Sequence, residues 1–194
     1  TSVLTVALKK AGRRMKLADF GEETVPRSAL GDPDPDTLEK ALEKIVRKSK
    51  LREEIIAAPL PVHRVFIRTI DLPFSKISQI RQVIASEAEL HVPFPLDKVI
   101  IDFWPVMKLE EEKTRVIMAA VKKDVLRAHL ELFSFSWINP DRVGIDLRGL
   151  ARSYSYSGIL PEEKTTMLLD LGAVHTGAVF FRGAKILFIR SFAW

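Results

Sequence analysis

Thr165-Thr-Met-Leu-Leu-Asp170, continued by Leu171-Gly-Ala-Val-His-Thr176, is the stretch on which the reading of this chain turns. Its first half is a run of strand formers ending on a carboxylate, as expected of a buried strand that delivers an acid to a site. Gly172 then lets the backbone come close to an anion, because no Cβ stands in the way. Successive N–H groups in such a turn form a cradle for phosphate oxygens. Asp170 is suited to hold a magnesium ion through water, since that ion keeps much of its hydration. Thr176 offers a hydroxyl at the entry to a hairpin expected over residues 177–181 and 185–192, with Arg182-Gly183 at its turn. The pattern Asp-x-Gly-x-x-x-Thr also arises by chance, so the phosphate-loop reading depends on what precedes it.

Working back from that loop, residues 142–147 predict a strand running into a short helix through Leu150 and Tyr154, with Asp146 at the strand-to-helix turn. Residues 122–135 predict a helix offering Val125, Leu126, Leu130 and Phe133 to a core. Earlier still, Pro59-Leu-Pro61 marks a boundary, beyond which a compact unit begins. It opens with a strand over 65–72 that Pro73 terminates. An amphipathic helix over 75–91 follows, with Ile77, Ile80, Val83, Ile84 and Ala88 on one side. Pro93-Phe-Pro95 stops it, and strands over 99–109 and 114–121 are joined by an acidic turn at 110–112. This strand–helix–strand–strand unit, about 60 residues long, is small for an independent core and should pack on its neighbours.

The opening of the chain predicts a hairpin, 3–8 against 15–20, across a basic turn containing Gly12. A loosened stretch over 21–35 leads to a helix with Asp36 as N-cap and Glu39 three residues on. Leu38, Leu42, Ile45 and Val46 form its apolar stripe, and Lys44, Arg47, Lys48 and Lys50 gather where the dipole favours positive charge. A short buried strand is expected over 54–58.

Composition narrows the function. The chain is 47% hydrophobic and 28% charged, the balance of a soluble globular protein. Its net charge of +5 is spread among alternating acids and bases, with no basic face of the kind that binds nucleic acid. Lys9, Lys10, Arg13, Arg14 and Lys16 cluster round the first turn, where a solvated hairpin tip is the simplest reading. With no cysteine there is no disulfide framework and no thiolate chemistry. No apolar run approaches the roughly 18 to 20 residues of a membrane span, and no signal peptide is visible.

The order of these elements resembles the actin-like ATPase superfamily, and more specifically the PilM family of type IV pilus assembly with the related GspL proteins of type II secretion. The residues that carry it are Arg68-Thr-Ile-Asp-Leu-Pro-Phe74, Ile84-Ala-Ser-Glu-Ala-Glu-Leu-His-Val-Pro-Phe94 and Pro95-Leu-Asp-Lys-Val-Ile-Ile-Asp102. Ala119-Ala-Val-Lys-Lys-Asp124 and Leu168-Leu-Asp-Leu-Gly-Ala173 continue it. The resemblance implies a mixed α/β, ribonuclease H-like lobe with an inserted, SHS2-like 1C subdomain at 62–121. Residues 1–61 and 122–164 would make subdomain 1A, and 165–194 would begin subdomain 2A of a second lobe that this chain holds only in part. It further implies that Asp170, Gly172 and Thr176 match the second phosphate motif, and that Asp146 orients water or metal. Ser2 falls in what resembles the tail of a first phosphate loop whose acid and strand are absent. A complete nucleotide pocket, and hence a bound cofactor or catalysis, is therefore not expected of this chain, although magnesium-ATP is implied for the full-length protein.

The expected role is that of a cytoplasmic scaffold at the face of the bacterial inner membrane. Implied partners are the short tail of a PilN- or GspM-like membrane protein and the pilus or secretion ATPase, with peptide capture along a strand edge or apolar groove. An actin-like filament or cell-division protein is the alternative, and self-pairing through 177–192 would give a homodimer. Other features read more plainly. His175 is expected to be a turn residue, because no second His or Cys stands at ligand spacing. His63, His91 and His129 read as ordinary histidines, and Ser153, Ser155 and Ser157 between Tyr154 and Tyr156 suggest an exposed loop. Trp104, Trp137, Phe133 and Phe135 read as core. Glu87 and Glu89 sit about 200° apart round a helix and do not form a same-face pair.

Overall fold

The computed structural model describes residues 2–12, 14–26, 34–48, 55–110, 112–134, 138–157, 163–172, 174–183 and 185–193. The features expected at Arg13, Gly31, Lys50, Glu54, Glu111, Phe135, Trp137 and Ala173 lie outside the described residues. The chain forms two compact units, Thr1–Ala58 with Ala128–Arg142, and Pro59–Arg127 with Val143–Trp194.

In the first unit, β1 (Ser2–Ala11) and β2 (Arg14–Thr24) make an antiparallel hairpin, longer than the alternation alone suggests. Gly12 takes φ +64° at its turn, a conformation that costs glycine little. Helix α1 (Pro35–Lys48) buries Ala41, Leu42 and Ile45. A Cβ on Gly21 of β2 would stand 2.8 Å from Oγ1 of Thr5, its ladder partner on β1, so glycine makes room for that hydroxyl. Asp34, and not Asp36, caps this helix. Its Oδ2 accepts from the Thr37 N–H at 3.1 Å and the Thr37 hydroxyl at 2.7 Å. The reason is Pro35, which suits the first helical position and so sets the cap at Asp34, two residues before Asp36.

The second unit is built on a three-stranded antiparallel sheet in the order β4 (Phe66–Leu72), β6 (Thr114–Lys122), β5 (Val99–Lys108). The central strand is buried on both faces, which is why it reads as the near-continuous apolar run Val116-Ile-Met-Ala-Ala120. Val116, Met118 and Ala120 meet Ile80, Ile84 and Ala88 of α2 (Ile77–Glu89), together with Ile70, Leu72 and Val99. Ile117 faces the other way, into a second core with Val106, Leu147, Ala151, Val179, Phe181 and Ile189. That core joins the sheet to α4 (Asp146–Tyr156) and to a second three-stranded sheet, β10 (Lys185–Ala193), β9 (His175–Arg182), β8 (Thr165–Leu171). Trp104 packs half-buried against the same core, as expected of it. Two short strands, β3 (Ala57–Leu60) and β7 (Arg142–Ile145), pair, and α3 spans Lys123–Ser134.

Three local expectations change. The strand placed at 54–58 forms at Ala57–Leu60, so Pro59 lies within it; proline is tolerated there because the sheet has only two strands. The serines after Arg152 are not in a loop until Ser157. Ser153 and Ser155 lie within α4, where their hydroxyls bond back to the carbonyls of Gly149 and Ala151 at 3.2 and 3.0 Å. Such i−4 bonding satisfies serine without breaking the helix. Finally, β8 is an exposed edge strand, with Leu171 at 70% exposure, and the buried strand of that sheet is its neighbour β9. Among the described residues no helix is long and apolar enough to cross a membrane.

Candidate phosphate-loop site

At one end of the second unit, β8 turns into β9 through Gly172. The Gly172 N–H donates to the Asp170 carbonyl at 3.2 Å. A Cβ at this glycine would lie 2.5 Å from the carbonyl oxygen of His175, a backbone atom, so the turn admits only glycine in this shape. The close approach that the structure shows at Gly172 is to the protein's own His175 carbonyl, where the sequence suggested an anion.

The ladder register determines which side chains meet. Asp170 stands opposite Gly177 and Leu171 opposite Thr176. Partners in a ladder share a face and successive residues alternate, so Asp170 and Thr176 point to opposite faces of the sheet. Val179 and Phe181 share the Gly177 face and pack with Leu147 of α4. A Cβ on Gly177 would lie 2.8 Å from Leu147 Cδ2, which shows how tightly α4 sits there. On that same face Asp146, the first residue of α4, accepts through Oδ1 from the Val62 N–H at 3.0 Å and from the N–H of Leu147. Burial pushes the Asp146 carboxyl above its usual range; those two N–H groups oppose the shift, and the negative charge of Asp170 adds to it.

Asp146 and Asp170 are therefore brought into electrostatic reach of one another, while Thr176 is not brought to their face. The Thr176 hydroxyl is buried and has no hydrogen-bond partner among the described residues. Ser2 begins β1 in the other unit, opposite Thr24. One neighbour escaped the sequence. His63, in the short helical turn Val62–Arg64, stacks on His175 with ring centroids 4.0 Å apart and planes 9° apart. No local spacing could have paired residues so distant in the chain. Among the described residues no group of three metal-ligating side chains comes together. Two carboxylates at one sheet end suit a hydrated magnesium ion, which takes few direct protein ligands. For phosphate oxygens the fit is poorer, because the His175 carbonyl fills the space beside Gly172 and the Thr176 hydroxyl lies on the other face.

The model of the family described as type IV pilus assembly protein PilM matches residues 1–194. The chain belongs to the PilM family. Among solved structures, the PilM-PilN type IV pilus biogenesis complex contains a chain 22% identical, with TM-score 0.79 over 99% of this chain and 58% of that one. The cytoplasmic domain of EpsL, an inner-membrane component of the type II secretion system of Vibrio cholerae, is 13% identical. Its TM-score is 0.59 over 100% of this chain and 71% of that domain. A protein of Bacteroides thetaiotaomicron with an actin-like ATPase fold and unknown function matches more distantly, at 14% identity and TM-score 0.43 over 93% of this chain and 62% of that one. The mixed α/β class read from the sequence is that of the PilM-PilN chain whose fold it shares. The chain spans 58% of the PilM chain it matches, so it corresponds to a little over half of that protein.

Proposed function

We propose that this chain is an assembly module of the type IV pilus, working at the cytoplasmic face of the bacterial inner membrane by capturing the short tail of a PilN-like partner. The observation that carries this reading is the family match along all of residues 1–194, with the related fold of a PilM chain solved in complex with PilN. In this reading residues 62–121 are the inserted 1C subdomain, 1–61 and 122–164 subdomain 1A, and 165–194 the start of 2A. The chain acts as a scaffold, without turnover of its own, and the pilus ATPase is a further partner.

The same reading assigns magnesium-ATP to the whole protein. Asp170 and Asp146 would hold the hydrated ion, which supplies positive charge toward the phosphates. The Gly172 turn would have to withdraw the His175 carbonyl before phosphate oxygens could approach it. Thr176 lies on the far face of the ladder and would need the turn to shift before its hydroxyl reached them. Calorimetry of magnesium-ATP on the full-length protein tests this, beside an Asp170→Ala variant. Binding lost in the variant supports a working phosphate site; no binding in either leaves the fold as scaffold alone. Co-purification with a PilN-like tail tests the assembly role separately, and failure to retain any such tail would overturn it.

A further inference from the structure

Among the described residues β4 and β10 are both outer strands of their sheets, paired on one side only, with β6 and β9 respectively. Where the start of β4 nears the end of β10, a cleft of about 240 Å³ opens, lined by Val62, Phe66, Ile67, Arg68, Ile189 and Arg190. It adjoins the candidate phosphate site, since Val62 also donates its N–H to Asp146, and its wall is mostly apolar. Its two cations carry the information. Arg68 lies over the Phe66 ring, 5.9 Å from its centroid. Arg190 lies over Phe188 at 4.1 Å and donates one Nη1–H to the Ile189 carbonyl at 3.2 Å. Stacking on rings holds both guanidiniums in place while leaving most of their N–H donors to whatever arrives. Among the described residues neither is paired with a carboxylate.

We propose that this cleft docks an extended acidic segment of a partner protein. Its backbone would add to an open strand edge, and its carboxylates would meet Arg68 and Arg190. Strand addition gives affinity through main-chain hydrogen bonds, while the pockets for alternate side chains give selectivity. Here the selectivity is for apolar residues alternating with acids, since apolar wall and cations share one narrow cleft. Arginine is the residue that recognises carboxylate by a two-pronged contact, so two unpaired arginines in one cleft favour carboxylates over a featureless apolar ligand. The inference deepens the assembly reading above and rests on it.

The probe is a fluorescein-labelled octapeptide of alternating Glu and Val, followed by anisotropy against this chain, with an alternating Lys–Val octapeptide as control. The Glu–Val peptide should bind and the Lys–Val peptide should not. Arg68→Glu with Arg190→Glu should weaken binding by about tenfold or more, the loss expected for two charge-assisted contacts. Arg68→Lys with Arg190→Lys should lose less, because charge is kept and only the fork is lost. Ser191→Trp, which fills the cleft without changing its charge, should also abolish binding and stands in should the charge reversal disturb folding. Melting curves establish that each variant is folded. Equal binding of the two peptides, no binding by the wild-type chain, or unchanged affinity in the folded variants overturns the inference. So does binding to anionic vesicles, or self-association, in place of the peptide. Capture of a PilN-like tail by the wild-type chain alongside any of those results leaves the assembly reading standing, whereas loss of that capture sinks the reading on its own account.

Discussion

The imidazole of His175 lies flat against that of His63, 4.0 Å between centroids, fixing the helical turn Val62–Arg64 to the entrance of β9. The ring contact links these two segments. A stacked pair contributes about 0.5 to 1 kcal/mol beyond area burial, so His175→Ala should lower stability by roughly that amount. A double-mutant cycle with His63→Ala, read by urea denaturation, should return a coupling energy of the same size. Additive effects of the two substitutions would mean that the stack holds nothing together.

Asp146 supplies a pH-dependent prediction. Its carboxyl is raised above the ordinary value of 3.8, chiefly by burial. A folded value above the unfolded one means that the group's contribution to stability is full below 3.8 and is lost as pH rises through the folded value. Asp146→Asn keeps an oxygen to accept from Val62 and Leu147 but removes the buried charge. The variant should therefore be more stable than wild type at neutral pH, by about 1 kcal/mol or a few degrees in melting temperature. The gap should close as the pH is lowered to about 3, where both carry a neutral group. A wild-type chain that melts higher at pH 7 would contradict the burial argument. A variant that is more stable yet fails to hold nucleotide in the full-length protein would mark Asp146 as a residue kept for function against stability.

The opposite sign holds at the outer edge of the other sheet. Arg115 of β6 donates through Nε and Nη2 to the two carboxylate oxygens of Asp71 on β4, both at 2.7 Å. That hydrogen bonding, foremost, holds Asp71 below its ordinary value of 3.8, and Arg115 is raised in turn. Stability from this pair is present above 3.8 and is lost as pH falls through the depressed folded value. Both side chains are substantially exposed, so screening by water and salt keeps the contribution within about 1 kcal/mol. Asp71→Asn should thus cost little at neutral pH, the cost should shrink in strong salt, and it should vanish in acid. A cost that survives molar salt would show the pair to be held by packing instead of charge.

How much of this was legible beforehand differs by element. Helix α2 and strands β4, β5 and β6 were readable because each buries one clear face, or for β6 two, and the hydrophobic pattern records burial. The cap of α1 was displaced by two residues because Asp34-Pro35-Asp36 offers two acids, and only the position of proline decides between them. β8 looked buried because Met167, Leu169 and Leu171 are apolar, but they lie on an edge strand with no layer over them. In the candidate site, Asp170 and Gly172 were marked by type and spacing, and Asp146 by the family resemblance alone. The opposed direction of Thr176 follows from a one-residue register that no composition shows. His63 was invisible because its partner is brought to it only by the fold.

The last prediction concerns Gly177, which no motif singled out. It sits on the central strand β9, facing Leu147, a residue that is 1% exposed. A Cβ there would lie 2.8 and 2.9 Å from the two Leu147 methyl carbons, closer than carbon atoms approach. Gly177→Ala must therefore push α4 outward or force Leu147 from its rotamer, and overpacking of this kind costs about 1 to 3 kcal/mol. Because Asp146 is the residue before Leu147, any such movement also draws its carboxylate from the Val62 N–H. Gly177→Ala should lower the melting temperature and weaken the nucleotide binding proposed for the full-length protein, although it adds nothing polar and removes no ligand. Pairing it with Leu147→Val, which withdraws a methylene from the contact, should recover part of both losses. If Gly177→Ala is neutral, α4 is not held against β9 by the absence of that side chain, and the coupling from β9 to Asp146 does not exist.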